Sequence, residues 1–445
     1  MHNRMKRLAV LLLSAAMMPC PVAMRAQTAR LKGSLNRLFS IAEAHNASLR
    51  TVRAAITEAE AGVEAAQKAK LPDVNAQLSV SYLGNARLWN RHFGESTCAP
   101  MPHYGNNFLL QAQQVVYAGG AVSAGIQLAR QNAAMQNINA VDERRRVQFL
   151  LTGLFLQLHN LQNQAEVYAA NKALAEKQIE MMRQRYAKGV SLHSDVTRYE
   201  LYLQQMELGM TSVTDQADIV RRQLLTALGT DSAAIGTLPE DAFADDAIAV
   251  GSEADWQLIA AGQHPGVQRL ALGMQMSRTE EKLERAALLP KVAIIAEDHL
   301  DGPITIEVPP IDKNLNYWFV GVGVTYNFSA LYKNRSKVRR ARLHTAWQNE
   351  SLSATRENVA DAEHAAFVSL GTARTQLDTR RKSLQLATEN YELVSRRYQN
   401  GLAIVTDLTD AANMKLDAEL QLSDARISLV YAFYNLKYAA GCAEL

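Results

Sequence analysis

The chain has 445 residues, of which 48% are hydrophobic and 20% charged, so it can fill a core and lacks the composition of a disordered or collagen-like protein. Its mean hydropathy of −0.16, without an interior apolar run near the roughly 20 residues that a bilayer requires, excludes a polytopic helical membrane protein. Three cysteines exclude a disulfide-stapled or zinc-ribbon fold, and a formal charge of +3 gives no indication of nucleic-acid binding.

The first 26 residues have the pattern of a secretory signal peptide. Basic residues precede an apolar run over residues 8–18, and Ala26 is a small residue at which cleavage can occur. The segment contains four basic and no acidic residues, so export would change the formal charge from +3 to −1. Cys20 raises lipidation as an alternative, which Pro19 disfavours because lipidation needs a small residue just before the cysteine.

The rest of the chain contains an internal duplication. The aligned positions are Arg185-Tyr186 with Arg397-Tyr398, Gly189 with Gly401, and Gly229 with Gly441, all 212 residues apart, and Leu71-Pro72 with Leu289-Pro290, 218 residues apart. The six-residue difference falls where a loop would change length. The predicted organisation is a first repeat over 27–229, an acidic equatorial connector over 230–263 and a second repeat over 264–445.

A heptad pattern predicts a long coiled-coil hairpin in each repeat. Apolar residues are spaced by four and three from Val147 to Tyr186, with Lys172 as the exception. In the second repeat the pattern runs to Tyr398, with Glu363 and Arg380 as exceptions. The pattern restarts after a glycine in each repeat, so each helix is expected to turn back there.

The predicted helix lengths require a third helix in the repeat. A helix over about 122–186 would measure roughly 100 Å, whereas the returning helix over 196–228 covers only half that length. An alanine-rich helix over 35–70 has about the missing length. We therefore expect two shorter helices to stack end to end beside the long one.

Between these helices, each repeat changes to a two-residue period that predicts β-strands. Apolar and polar residues alternate over 74–82 and over 317–328, and the strand pairs flank polar loops at Gly84–Asn107 and about Glu297–Asn316. The strands have about the length that spans a membrane. Four strands cannot close a barrel and an open sheet edge is not tolerated in lipid, so several copies are expected to share one barrel.

The order of these features resembles the TolC-like outer-membrane factor family over nearly the whole mature chain. The resemblance rests on the tandem repeat, the two Leu-Pro helix ends, the Gly119-Gly120 pair between strand and helix, and the tyrosine, glycine and aspartate at Tyr186, Gly189 and Asp195, which recur in the second repeat. It implies an α+β, mostly α fold: long coiled-coil helices, and four β-strands per chain that contribute to a twelve-stranded outer-membrane β-barrel above a periplasmic α-helical tunnel.

The same resemblance implies a homotrimer that acts as a passive export duct. Its partners would be outer-membrane lipid, a periplasmic adaptor (membrane fusion) protein and an energised inner-membrane pump, either an efflux pump or an ABC exporter. Small-molecule efflux and protein secretion both stay open, as do the cognate pump and the resting state of the channel. An exported coiled-coil structural or adhesion protein is the alternative, with its strands in soluble hairpins.

The resemblance also marks candidate gating residues. Asp407 and Asp410 match paired aspartates that ring the periplasmic constriction of the best-known member, and they lie i, i+3 on one helical face. A trimer would gather six carboxylates there. N-capping is a competing explanation for Asp407, which follows Thr406, but it does not explain Asp410.

A tip latch is implied by two further positions. Tyr398 and Asp195 match residues that link the two hairpins and hold the channel closed, and Gly189 and Gly401 form the tip turns. Ala403 stands where the best-known member has a basic residue that helps this latch. Capping again competes for Asp195, and helix packing competes for Tyr398.

The sequence contains no pattern that indicates catalysis or a cofactor. No His-Glu-x-x-His, nucleophile elbow or Walker pattern is present, so we expect no enzyme activity. His92, Cys98 and His103 share one predicted loop, but their spacing matches no zinc site. We therefore expect a solvated loop there and no metal.

Overall fold

The computed structural model describes residues 28–232, 251–307 and 310–443. The predicted signal peptide and most of the connector lie outside the described residues. The elements in chain order are α1 (Thr28–His45), α2 (Ala47–Lys68), β1 (Asp73–Tyr82), β2 (Ala86–Trp89), β3 (Ser96–Ala99), β4 (Tyr104–Tyr117), α3 (Ala121–Ala187), α4 (His193–Leu228), α5 (Glu253–Gln263), α6 (Pro265–Ala286), β5 (Lys291–Gly302), β6 (Leu315–Thr325), α7 (Ala330–Gln399) and α8 (Val405–Ala439).

The chain divides into two compact units. Unit 1 comprises the described residues up to Ala54, Ile138–Arg269 and those from Ser353 onward, whereas unit 2 comprises Ala55–Asn137 and Leu270–Leu352. The long helices α3 and α7 contribute their first residues to unit 2 and the remainder to unit 1. The predicted repeat boundaries are a separate description of the chain and stay a prediction.

Unit 1 contains the predicted coiled-coil hairpins. Helices α3 and α7 have 67 and 70 residues, and the returning helices α4 and α8 have 36 and 35. Most heptad positions are buried, among them Val147, Leu151, Leu158, Ala175, Ile179 and Met182 in α3 and Val359, Ala366, Leu370, Ala373 and Leu377 in α7. The exception Lys172 forms an ion pair with Glu207 of α4 at 2.7 Å. The hairpin predictions are confirmed.

The helix predicted over 35–70 is interrupted at Asn46, which separates α1 from α2. The Asn46 side chain accepts a hydrogen bond from Leu49 N at 3.0 Å and donates one to the Ala227 carbonyl at 2.7 Å. The amide therefore caps the start of α2 and the end of α4 at once. A periodic pattern does not reveal this break because the apolar face continues across it.

In each repeat, a glycine packs against the junction between two short helices. Gly229 ends α4 with φ +75°, and a Cβ there would lie 2.3 Å from the His45 carbonyl oxygen. Gly441 follows α8 with φ +82°, and a Cβ there would lie 2.5 Å from the Cα of His264, between α5 and α6. Only glycine combines this left-handed conformation with such a close approach. The two repeats thus form the same helix junction.

Unit 2 contains a four-stranded antiparallel sheet of order β1-β4-β5-β6 and a separate hairpin, β2-β3. The four predicted strands are confirmed, but both predicted loops are too long. The first contains β2 and β3, and residues 297–302 of the second belong to β5. Polar side chains pair across these strands: Gln111 donates to Glu297 at 2.7 Å and Asn107 donates to Asp301 at 2.5 Å.

The edge strands of the sheet carry exposed apolar side chains on one face. In β1, Val74, Leu78 and Val80 are 62%, 71% and 74% exposed, and in β6 Val320 and Val322 are 65% and 70% exposed. The strand register places these apolar side chains on one face. On the opposite face, β1, β4 and β5 carry polar residues, among them Asn75, Gln77, Gln111 and Glu297, whereas β6 carries Leu315 and Phe319 there.

Gly119 and Gly120 join β4 to α3. Their φ angles are +62° and +88°, and a Cβ on Gly119 would lie 2.7 Å from the Ala286 carbonyl oxygen. The glycine pair therefore makes the strand-to-helix bend that the sequence indicates.

None of the described helices is both long enough and apolar enough to cross a bilayer.

Candidate functional site

The candidate site is the tip, defined as the two hairpin turns around residues 185–198 and 397–410 in unit 1. The first turn has Gly189 at φ +74°, with Gly189 N donating to the Tyr186 carbonyl at 2.8 Å. The second has Gly401 at φ +75°, with Gly401 N donating to the Tyr398 carbonyl at 3.0 Å. Both predicted turn glycines thus close a helix end in the left-handed conformation.

The aspartates in the first turns of α4 and α8 cap those helices. Asp195 Oδ2 accepts a hydrogen bond from Leu192 N at 3.4 Å, and Asp407 Oδ2 accepts one from Ile404 N at 3.3 Å. Carboxylates in the first turn also interact favourably with the helix dipole. The capping explanation therefore accounts for both positions, and any gating role would be additional.

Tyr398 and Asp195 are brought together through Ser191. Ser191 Oγ donates to Asp195 Oδ2 at 3.0 Å, and its hydroxyl is also hydrogen-bonded to the Tyr398 phenol. Tyr398 is buried, and this burial, with the nearby Asp195 carboxylate, raises the pKa of Tyr398. The phenol is therefore neutral at physiological pH and keeps its proton for hydrogen bonding. Sequence reasoning missed Ser191 because nothing distinguishes it from Ser194.

Two arginines of the first hairpin provide further links to the second. Arg185 Nη1 donates to the Gln399 carbonyl at 3.0 Å, and its guanidinium lies 5.5 Å from the centre of the Tyr398 ring. Arg198 donates to the hydroxyl of Thr406. The resemblance expects a basic residue at position 403 of the second hairpin, where this chain has Ala403. The basic groups here are instead on the first hairpin. The repeated Arg-Tyr pair was the available signal for Arg185.

A buried cluster holds the four helices together behind the tip. It contains Ala175, Ile179 and Met182 of α3, Val196, Tyr199, Tyr202 and Met206 of α4, Tyr398 of α7, and Val405, Leu408 and Ala412 of α8. Burial raises the pKa of the phenols of Tyr199 and Tyr202. The hydrogen bonds and ring contacts at the tip are therefore supported by a packed hydrophobic cluster.

Asp407 and Asp410 are both exposed, whereas Leu408, Thr409, Ala411 and Ala412 between and beyond them are buried. The two carboxylates therefore point away from the buried cluster. The gate assignment stays a prediction.

The part of the chain that the structure describes contains no group of three His, Cys, Asp or Glu residues placed to hold a metal ion. In the predicted loop, His103 Nδ1 lies 2.9 Å from the Leu83 carbonyl oxygen, and its ring stacks on Tyr82 with centroids 5.3 Å apart. His103 therefore has a structural role beside β1.

A sequence profile described as "Outer membrane efflux protein" matches residues 38–230 and 259–442. The chain belongs to this family. The resemblance inferred from the repeats is thereby confirmed.

Individual relatives are distant in sequence and close in fold. Outer membrane protein TolC of Salmonella enteritidis is 20% identical over 325 residues, which cover 71% of this chain and 65%, less than two thirds, of that protein. The outer-membrane channel OprN has a TM-score of 0.78 at 16% identity, over 93% of this chain and 91% of its own. The channel CmeC of Campylobacter jejuni has a TM-score of 0.73 at 15% identity, over 94% and 89%. The predicted fold class, mostly helical α+β with tandem long helices, is confirmed.

Proposed function

We propose that this chain forms the outer-membrane channel of a tripartite export system, a passive duct for small molecules or proteins. The exposed apolar face of the β-sheet carries the proposal. Val74, Leu78 and Val80 of β1 and Val320 and Val322 of β6 would each be expensive to leave in water, and all five lie on the same face of the sheet, on its two edge strands. In an outer membrane efflux protein, such a face would be covered by lipid.

The open sheet leads to the trimer. Strands β1, β5 and β6 have 10, 12 and 11 residues, enough to cross a bilayer when tilted. The edges β1 and β6 carry unpaired backbone groups, which lipid cannot satisfy. Pairing β6 of one copy with β1 of the next closes a barrel, and three copies supply twelve strands.

In such a trimer, Asp407 and Asp410 would form the periplasmic gate. The six exposed carboxylates would favour cations and repel anions at the narrowest point. The links through Ser191, Arg185 and Arg198 would latch the hairpins together in the closed state. The duct performs no catalysis, so the driving energy comes from an inner-membrane pump, reached through a periplasmic adaptor.

The test is the particle size in mild detergent combined with current across a planar bilayer. We expect extraction to require detergent, a particle of three chains, and discrete conductance steps. A monomer that is extracted without detergent would contradict the channel and support the exported coiled-coil structural or adhesion protein instead. The pump encoded beside this chain distinguishes small-molecule efflux from protein secretion.

A further inference from the structure

The two repeats form the same tip turn but leave it in different surroundings. Tyr398 of the second repeat is 6% exposed, whereas its counterpart Tyr186 is 48% exposed and touches His193 edge-on at 5.4 Å between ring centroids. Arg185 lies over the Tyr398 ring, whereas its counterpart Arg397 is exposed. Tyr398 thus has an arginine over its ring, whereas the equivalent residues, Tyr186 and Arg397, are both exposed.

The contact inside the chain has a direction. The first hairpin provides Arg185, and the second provides the ring of Tyr398 and the carbonyl of Gln399. The residues at the equivalent positions of the other repeat, 212 residues away, are Arg397 for Arg185, Tyr186 for Tyr398 and Ala187 for Gln399. Arg397 is on the second hairpin, and Tyr186 and Ala187 are on the first. Within one chain the two hairpins meet through Arg185 and Tyr398, and both Arg397 and Tyr186 are exposed, so a contact between Arg397 and Tyr186 would need a second chain.

A closed ring of alternating hairpins brings these residues together. Each second hairpin then has the first hairpin of its own chain on one side and that of the next copy on the other, in nearly equivalent orientations. We propose that Arg397 of one copy lies over the Tyr186 ring of the next copy and donates to the Ala187 carbonyl. This seam between copies rests on the proposed trimeric channel.

The chemistry of the seam follows from what the repeat keeps. Both turns have the Arg-Tyr pair, and a guanidinium over a phenol ring gains from cation–π attraction and from its hydrogen bonds to carbonyls at a helix end. Helix α3 ends at Ala187 as α7 ends at Gln399, so Ala187 is the counterpart of the residue whose carbonyl accepts the bond from Arg185.

Two other links change at the seam. Ser191, which bonds to Tyr398, is replaced by Ala403, and Arg198, which bonds to Thr406, is replaced by Asp410. The Arg397 contact is therefore the link that retains its chemistry between copies. The seam between copies has fewer basic groups than the seam within a chain.

The contact can be tested by cross-linking, in a background with Cys98→Ala and Cys442→Ala. The test pair is Arg397→Cys with Ala187→Cys, and the matched control pair is Arg185→Cys with Gln399→Cys. With a short bis-maleimide reagent, the test pair should join separate chains into dimers and trimers on a denaturing gel. The control pair should lose its thiols without joining chains.

The outcomes separate the seam from the function. A trimeric particle in which the control pair reacts but the test pair does not join chains overturns the seam and leaves the channel standing. A monomeric particle contradicts both. As a second measurement, Arg397→Ala should raise the open probability of the channel by at least roughly two- to fivefold, the range of one of the three exposed cation–π pairs that it removes from the trimer. Arg396→Ala, next to it and paired with Glu392, should leave the open probability unchanged.

Discussion

Glu363 is the most unusual single residue of the helical unit. It occupies a heptad position of α7, is 0% exposed, and neither carboxylate oxygen has a hydrogen-bond partner among the described residues. Burial, reinforced by the nearby Glu253 carboxylate, raises the pKa of Glu363. The side chain therefore binds its proton more tightly in the folded protein than in the unfolded one.

This shift makes folding stability depend on pH. Because the folded pKa is above the unfolded one, the contribution of Glu363 is complete below the unfolded pKa and is lost as the pH rises through the folded pKa. We expect Glu363→Gln to remove this loss and to raise the melting temperature at pH 8 more than at pH 4. Thermal unfolding by circular dichroism at both pH values measures it.

The control for Glu363 is Asp361→Asn, an exposed acid on the same helix. It should shift the melting temperature little at either pH. If Glu363→Gln behaves in the same way as Asp361→Asn, then the Glu363 carboxyl is not strained in the folded state.

The gate prediction also belongs to individual side chains. Replacing Asp407 and Asp410 together by asparagine removes six negative charges from a trimer while keeping the size of each side chain. We expect a larger single-channel conductance and a weaker preference for cations, measured in planar bilayers. Asp417→Asn, an exposed acid further along α8, should change neither. Unchanged current in the double variant would leave both residues as ordinary helix surface.

At the level of the elements, the tip joins two hairpins through a three-residue chain of hydrogen bonds. Tyr398→Phe removes the phenol hydroxyl, and Ser191→Ala removes the hydroxyl that connects it to Asp195. Each variant should raise the leak through the closed channel, because one hydrogen bond contributes about 1 kcal/mol. Ser194→Ala should leave the leak unchanged.

The double variant is the sharper measurement. Tyr398→Phe combined with Ser191→Ala should leak no more than either single variant, since both interrupt the same link. Additive effects would show that the two hydroxyls act separately.

Much of this arrangement could be predicted from the sequence, for a physical reason. Helices α3, α4, α7 and α8 have long heptads and each ends within two residues of a glycine, so both their period and their C-terminal ends are visible in local sequence. The error at Glu297 to Gly302 has the opposite origin: a strand face that bonds to Asn107 and Gln111 has the composition of a loop. The contacts that Arg185 and Ser191 make with the second hairpin depend on which hairpins are neighbours in space, and no local sequence pattern contains that information.

At the level of the whole molecule, the polarity of the sheet decides where the chain can reside. Leu78→Lys places a charge in the middle of the apolar face, whereas Gln77→Lys places the same charge on the opposite, polar face. A lysine in the bilayer midplane costs about 2–4 kcal/mol per copy. We expect Leu78→Lys to reduce the amount of assembled protein in the outer-membrane fraction strongly, and Gln77→Lys to have little effect. Equal loss in both variants would contradict the assignment of the lipid face.

In the proposed barrel, the sheet order β1-β4-β5-β6 has a genetic consequence, because each copy would need an edge strand from another copy to complete the barrel. A chain that folds and offers a sound β1 but a defective β6 is not inert, since it takes a place in the ring and prevents closure. Such an allele should be dominant when it is expressed beside the intact chain. An allele that prevents the sheet from forming at all should be recessive, because its product never competes for a partner.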